Sequence, residues 1–466
     1  MENRFTHPMP SAFDLADQIR QGNNSSQEIV QFYLDRIFEI NPSLNAAILI
    51  ADNLLSKAQA TDRVPHDQRP ILHGIPISLK DAFDLRGYPT TSGTIGRMHR
   101  IAVDHAVVVQ RLINAGAIIS AKTNTPELCL AYETDNDLFG RTNNPHDPNL
   151  TCGGSSGGEA ALIAAGASLL GIGSDAGGSI RIPAHFCGIA GFKPGAGCLP
   201  VEGHVPAYKG IWQQFSQPGP LARCAADLWL AFNIMNGSDL SRLHETGFEI
   251  NTYLQDKALK TKRIVFFTDN GIISPDQDTQ AILRSLVDKL VDRGFNIVEQ
   301  RPPAIPYTQE VFLKLTQSDS GIGIIKTLAY EGTPLNKAHR FTHQLIESAK
   351  ASPYAGTPRD ELKADINKYQ HDMHTYMQNT DIILSPVFPT PAVAHGDTFN
   401  DSIRPGFSYV SAYNLAGFPA AVIPVGSSKE GLPIGIQIAA GPMQEERVLK
   451  MAAWVEAAAS FNQFAV

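Results

Sequence analysis

The chain has 466 residues, 43% of them hydrophobic, with a net charge of −8 and a pI near 6.0. That acidic balance, with its basic residues dispersed, excludes nonspecific nucleic-acid binding, and no apolar run reaches the roughly 18 residues of a membrane span. Five cysteines, Cys129, Cys152, Cys187, Cys198 and Cys224, are odd in number and irregularly spaced; they fit free thiols in a reducing, cytoplasmic compartment and not a disulfide framework.

In chain order, Met1-Glu2-Asn3-Arg4 opens with a polar stretch that lacks an apolar secretory core. Ser25-Ser26-Gln27-Glu28 has capping-box spacing for a helix with Ile29, Val30, Tyr33, Leu34 and Ile37 on one face. Ile75 to Leu79 reads as a buried strand with Lys80 at its end, Asp104 to Asn114 as a helix stopped by Gly116, and Ala117 to Ala121 as the next strand. Ala160 to Ala165 continues as a glycine-punctuated helix, and Leu169 to Gly173 returns as a strand. Further on, Arg263 to Thr268 predicts a strand, Thr279 to Asp292 an amphipathic helix, and Leu313 to Lys363 a largely helical lid or substrate wall. Asp381 to Pro386 and Ala420 to Gly426 bring back buried strands. Such alternation predicts a layered α/β/α fold around a mixed, mostly parallel sheet, with catalytic loops at strand ends.

The chemistry gathers in three stretches: the isolated Lys80, the cluster Gly153-Gly154-Ser155-Ser156-Gly157-Gly158, and the cluster Ser174-Asp175-Ala176-Gly177-Gly178-Ser179-Ile180-Arg181. Hydroxyls and one amine among glycines suggest a serine nucleophile, a proton carrier and a backbone oxyanion hole. Ala176, Gly177, Gly178 and Ser179 offer four consecutive N–H donors. An ordinary turn or a flexible linker is the plain alternative for Gly153 to Gly158, but the Ala/Leu/Ile-rich Glu159 to Leu170 follows at once. Gly153-Gly154-Ser155-Ser156-Gly157 also satisfies the Gly-x-Ser-x-Gly pattern of Ser-His-Asp hydrolases, against which the second cluster and Lys80 weigh. Neither a phosphate loop nor a metal site is expected, and His73, His105 and His185 read as structural, as Cys152 reads as packing. Ser156, with Glu159 three residues on, fits a second capping box. Asp81 would oppose base function if it held Lys80 charged, but adjacent residues on an extended segment face opposite sides.

From Leu15 to about Ala457 the chain resembles the amidase signature enzymes, most specifically over Gly153 to Pro194. Gly140-Arg141-Thr142-Asn143-Asn144-Pro145 and Phe186-Cys187-Gly188-Ile189-Ala190-Gly191-Phe192-Lys193-Pro194 lean toward the fatty-acid amide hydrolase branch. The resemblance implies Ser179 as nucleophile, Ser155 as bridging serine at a cis peptide, and Lys80 as base. It makes Asp175 and Arg181 supports of the loop, and places Cys129, Leu130 and Tyr132 at the acyl pocket. Phe139, Phe186, Trp212 and Phe215 are further candidates for apolar walls. Lys80 must then be neutral, which burial would favour.

One amidase domain over 1–466 is expected: a helical part at 1–70, the signature core at 71–220, a variable region at 221–380, and strands completing the sheet at 381–466. The expected activity is hydrolysis of aryl, aliphatic or fatty-acyl amides with no cofactor and no metal, a homodimer being the assembly considered. The glutaminase subunit of a tRNA-dependent amidotransferase stays open as the alternative, and a noncatalytic binding module is disfavoured because Lys80, Ser155 and Ser179 are all present.

Overall fold

Local sequence sets where the helices begin. The Ser25 hydroxyl accepts the Glu28 N–H at 3.1 Å while the Glu28 carboxylate takes the Ser25 N–H at 2.9 Å, a reciprocal cap that starts the helix Ser26–Leu44. Ile29, Val30, Tyr33, Leu34 and Ile37 are buried on its inner face, as their spacing predicts. The helix expected from Asp104 begins at Val107 instead, because the Ala106 N–H is drawn to the Asp84 carbonyl at 2.8 Å. The computed structural model describes residues 10–207, 210–240, 249–459 and 461; the polar opening Met1-Glu2-Asn3-Arg4 lies outside them.

The strands are β1 (Ala47–Ile50), β2 (Pro76–Lys80), β3 (Ile118–Thr123), β4 (Leu170–Asp175), β5 (Ala190–Lys193) and β6 (Gln217–Ala222), then β7 (Ile264–Phe266), β8 (Ile297–Glu299), β9 (Ile382–Pro386), β10 (Ala420–Ser427) and β11 (Pro433–Ala439). They form one eleven-stranded sheet in the order β1-β3-β2-β4-β6-β5-β10-β11-β9-β7-β8. The sheet is mixed, but the expectation of mostly parallel pairing is corrected. Only β2–β3, β2–β4, β7–β8 and β7–β9 run parallel, and the other six adjacent pairs are antiparallel. For β10 and β11 the physical reason is the return: the five residues between them are too few for a crossover, and a short link forces a hairpin. β5 pairs with β10 through Ala420 and Lys193, so strands from both ends of the chain share this sheet.

Alternation along the strands loads both faces. In β10, Ala421, Ile423 and Val425 join the large core under the helices Ala225–Asn236, Gln277–Asp292 and Glu445–Ala459. Ala420 and Val422 point into the opposite cores, beneath Gly157–Ala164, Arg181–Cys187 and Arg359–Met377. A sheet buried on both sides gives the layered α/β/α architecture. In β2, Ile77 and Leu79 enter the large core, so Ser78 and Lys80 are sent to the other face.

Candidate active site

Lys80 closes β2, and its side chain is fully buried beneath the two serine loops. Its Nζ lies 2.6 Å from Ser155 Oγ, 3.1 Å from Ser156 Oγ and 3.0 Å from Ser174 Oγ. Burial lowers the Lys80 pKa, against the opposing pull of Cys129, Asp175 and Glu159. Asp81 indeed turns away: it pairs with Lys122 at 2.6 Å and receives the Thr91 N–H at 3.1 Å.

The first glycine cluster presents Ser155 from a cis Gly154–Ser155 peptide. The second capping box does not form. Ser156 stands at the N-terminus of Gly157–Ala164 without capping it through its side chain; its hydroxyl takes the Lys80 contact and the Ser174 N–H at 3.3 Å instead. Glu159 is drawn down onto the sheet by two hydroxyls, Ser78 Oγ at 2.5 Å and Thr123 Oγ1 at 2.7 Å. Burial pushes its carboxyl up to about 8, against the hydroxyls and Lys80.

The second cluster is a turn from β4 into the helix Arg181–Cys187. Gly178 has φ 125°, and a Cβ there would lie 2.4 Å from Val410 Cγ2, so only glycine fits. The Asp175 carboxylate ties the turn together, accepting the Gly178 N–H at 2.7 Å and the Ile180 N–H at 3.1 Å. Arg181 grips the same carboxylate with Nε at 3.0 Å and Nη2 at 3.1 Å, all of it buried. Burial by itself would raise the Asp175 carboxyl, but the guanidinium outweighs it and holds the group well below the usual carboxylate range. Of the four N–H groups expected as oxyanion donors, that of Gly178 is already engaged by Asp175. Ala176, Gly177 and Ser179 have no protein acceptor for their N–H groups among the described residues.

Ser179 and Ser155 line one cavity of about 1120 Å³. The Ser156 N–H donates to the Ser179 carbonyl at 3.1 Å, which ties the two loops together. The Ser179 hydroxyl itself makes no hydrogen bond to Ser155 among the described residues, so the expected nucleophile–bridge contact is not closed in this geometry.

Cys129, Leu130 and Tyr132 line the cavity. Tyr132 donates to the Gly177 carbonyl at 2.8 Å and stacks on Phe407 with centroids 3.6 Å apart. Of the apolar wall candidates, only Trp212 lines it. Phe186, on the inner face of the helix Arg181–Cys187, and Phe215, in the turn before β6, are core residues, and Phe139 lies in a turn outside the cavity. Phe312 and Phe407 complete the walls from segments far along the chain, where no local motif announces them.

His73, His105 and His185 are bonded to backbone groups, at 3.1 Å to the Thr61 carbonyl, 3.2 Å to the Arg86 N–H and 2.9 Å to the Thr390 carbonyl. Cys152 is buried with its thiol raised to about 12 by desolvation, which makes it inert. His204, which sequence reasoning passed over, does reach the site: its Nε2 lies 2.9 Å from Ser174 Oγ. Its only sequence signal is its place beside Pro206 downstream of the second cluster, too little to single it out.

Comparison with known proteins agrees with this architecture. The family model described as Amidase matches residues 28–449. The chain is 33% identical over 481 residues to the fatty-acid amide hydrolase 2-B of Danio rerio, covering 96% of this chain and 89% of that one. It is 29% identical to one of the subunits of the glutamyl-tRNA(Gln) amidotransferase of Prochlorococcus marinus, with 96% of each chain covered. The solved structure of 6-aminohexanoate cyclic dimer hydrolase with its substrate shares the fold at TM-score 0.83 and 23% identity, over 98% of this chain and 99% of that one. The chain belongs to the amidase signature family, hydrolases that act on amides.

Proposed function

We propose that the chain is a serine amidase that hydrolyses carboxamides with sizeable apolar groups through an acyl-enzyme on Ser179. The observation that carries this is a fully buried lysine 2.6 Å from a serine hydroxyl that opens on the same cavity as Ser179. Neutral Lys80 takes the Ser155 proton while Ser155 takes that of Ser179. The Ser179 oxygen bonds to the carbonyl carbon, and the carbonyl electron pair moves to oxygen beside the Ala176, Gly177 and Ser179 N–H groups. Collapse breaks the C–N bond as Ser155 gives a proton to the leaving nitrogen and takes one back from Lys80, which is again neutral. Water, deprotonated by the same relay, then releases the acid and restores Ser179. The Ser155–Ser179 contact closes on substrate, as catalytic hydrogen bonds tighten in the Michaelis complex.

A cavity of about 1120 Å³ walled by Trp212, Phe312 and Phe407 is oversized for glutamine and suits an aryl or long acyl group. That favours an independent amidase over the glutaminase subunit. Five unpaired cysteines support a reducing, cytoplasmic setting. The test is ammonia or amine release from glutamine, short aliphatic, aryl and long-chain amides, with Ser179→Ala as blank. Turnover of apolar amides by the wild type alone is expected. Turnover of glutamine only, or of nothing until a partner protein is added, would move the assignment to the amidotransferase subunit.

A further inference from the structure

We propose that His204 is a positioning residue of this site: through Ser174 it fixes the direction of the hydrogen bonds around Lys80, so that the neutral amine's lone pair is left facing Ser155. The inference rests on the Ser179–Ser155–Lys80 reading above.

His204 lies on a segment fastened to the loop that follows Lys80. The Asp84 N–H donates to the Gly203 carbonyl at 2.8 Å, the Val205 N–H to the Ala82 carbonyl at 2.7 Å, and the ring stands edge-on to Phe83 at 4.9 Å. His204 Nδ1 is 2.9 Å from the Pro206 carbonyl oxygen. A carbonyl only accepts, so Nδ1 carries the hydrogen and Nε2 of the neutral ring is an acceptor; the tautomer is assigned from its partners. Burial keeps the ring neutral by pushing its pKa down to about 3. Nε2 faces Ser174 Oγ at 2.9 Å, so Ser174 spends its single hydroxyl hydrogen on His204. The Ser174 oxygen is then obliged to accept from Lys80 Nζ at 3.0 Å.

Ser156 is constrained in the same sense. Its hydroxyl donates to the Ser174 carbonyl at 3.4 Å and accepts the Ser174 N–H at 3.3 Å, leaving it as an acceptor toward Lys80 at 3.1 Å. A neutral amine has two hydrogens and one lone pair. With both hydrogens directed at Ser156 and Ser174, the lone pair meets Ser155 Oγ at 2.6 Å, where it receives the proton that the reaction must move. Without the His204 acceptor, the Ser174 hydroxyl is free to turn and donate to Lys80, in competition with Ser155.

The experiment compares wild type with His204→Ala, His204→Gln, Ser174→Ala and the double variant His204→Ala/Ser174→Ala in the full chain. The substrate is whichever amide of the panel the wild type turns over fastest. His204→Ala is expected to lower kcat about tenfold with KM within about twofold, the scale of one misdirected hydrogen bond in a proton relay. His204→Gln, whose amide oxygen offers Ser174 an acceptor, recovers most of the rate. The double variant is no slower than Ser174→Ala alone, because His204 acts only through that hydroxyl. If the alanine variant does not fold by its thermal midpoint, His204→Leu, which fills a similar volume without an acceptor, takes its place. Wild-type kcat in the folded Ala or Leu variant, equal losses for Gln and Ala, or additive losses in the double variant would overturn the proposal. A fully active Ser179→Ala would instead overturn the underlying mechanism, so the two failures are told apart.

Discussion

Two buried acids in this site have opposite electrostatic fates, and each yields a prediction. Glu159 is met by hydroxyls, and its folded pKa, about 8, stands above its ordinary value of 4.5. The folded state therefore holds a proton that the unfolded chain lacks between those limits. The stability from this group is full below pH 4.5 and fades as pH rises through 8. In Glu159→Gln that component is absent. Urea midpoints from pH 5 to 8 should fall more steeply for wild type, by up to about 1.4 kcal/mol per pH unit. Asp175 is gripped by Arg181 and stays charged. Arg181→Met leaves that carboxylate buried without its cation and should cost about 3–5 kcal/mol at pH 7, read as a lower thermal midpoint. Equal stability of variant and wild type would mean that Asn414, 2.9 Å from the carboxylate, and the Gly178 and Ile180 N–H groups suffice without the cation.

At the scale of elements, the same sequence pattern had two outcomes. Ser25 and Glu28 close a capping box at a helix start that faces water. Ser156 and Glu159 have the same spacing, but both side chains are buried, and stronger partners outside the helix claim them. Capping boxes are thus legible in sequence only where the competing partner is solvent. The glycine turn after β4 is legible more directly, since φ 125° at Gly178 excludes most side chains. Gly178→Ala should destabilise by about 1–3 kcal/mol and displace Ser179 enough to lower kcat about a hundredfold. Thermal melts and steady-state kinetics check both numbers, and normal activity would show that the turn tolerates movement.

Across the whole molecule, Lys80, Ser155 and Ser179 come from the end of β2, the loop before the helix Gly157–Ala164 and the turn after β4, while part of the cavity wall is recruited from residues more than a hundred positions away, among them Phe312 and Phe407. If that wall receives the acyl group, each added methylene contributes about 0.8 kcal/mol, and kcat/KM for linear amides should rise about fourfold per carbon until the cavity is full. A flat trend with chain length would place the apolar group outside it.

Strands β2, β3, β4, β7, β9 and β10, the helix begun at Ser25, Lys80 at a strand end, and the glycine turns around Ser155 and Ser179 were set by the chain itself, whereas the short strands β1, β5, β6 and β8 carry no such local signal. Those features depend on local periodicity and on backbone angles that neighbouring residues impose. Strand direction, the exclusion of Phe186 and Phe215 from the pocket, and the arrival of His204 at Ser174 were decided only in the tertiary structure. Each is a competition among partners distant in sequence, and burial determines which of them wins.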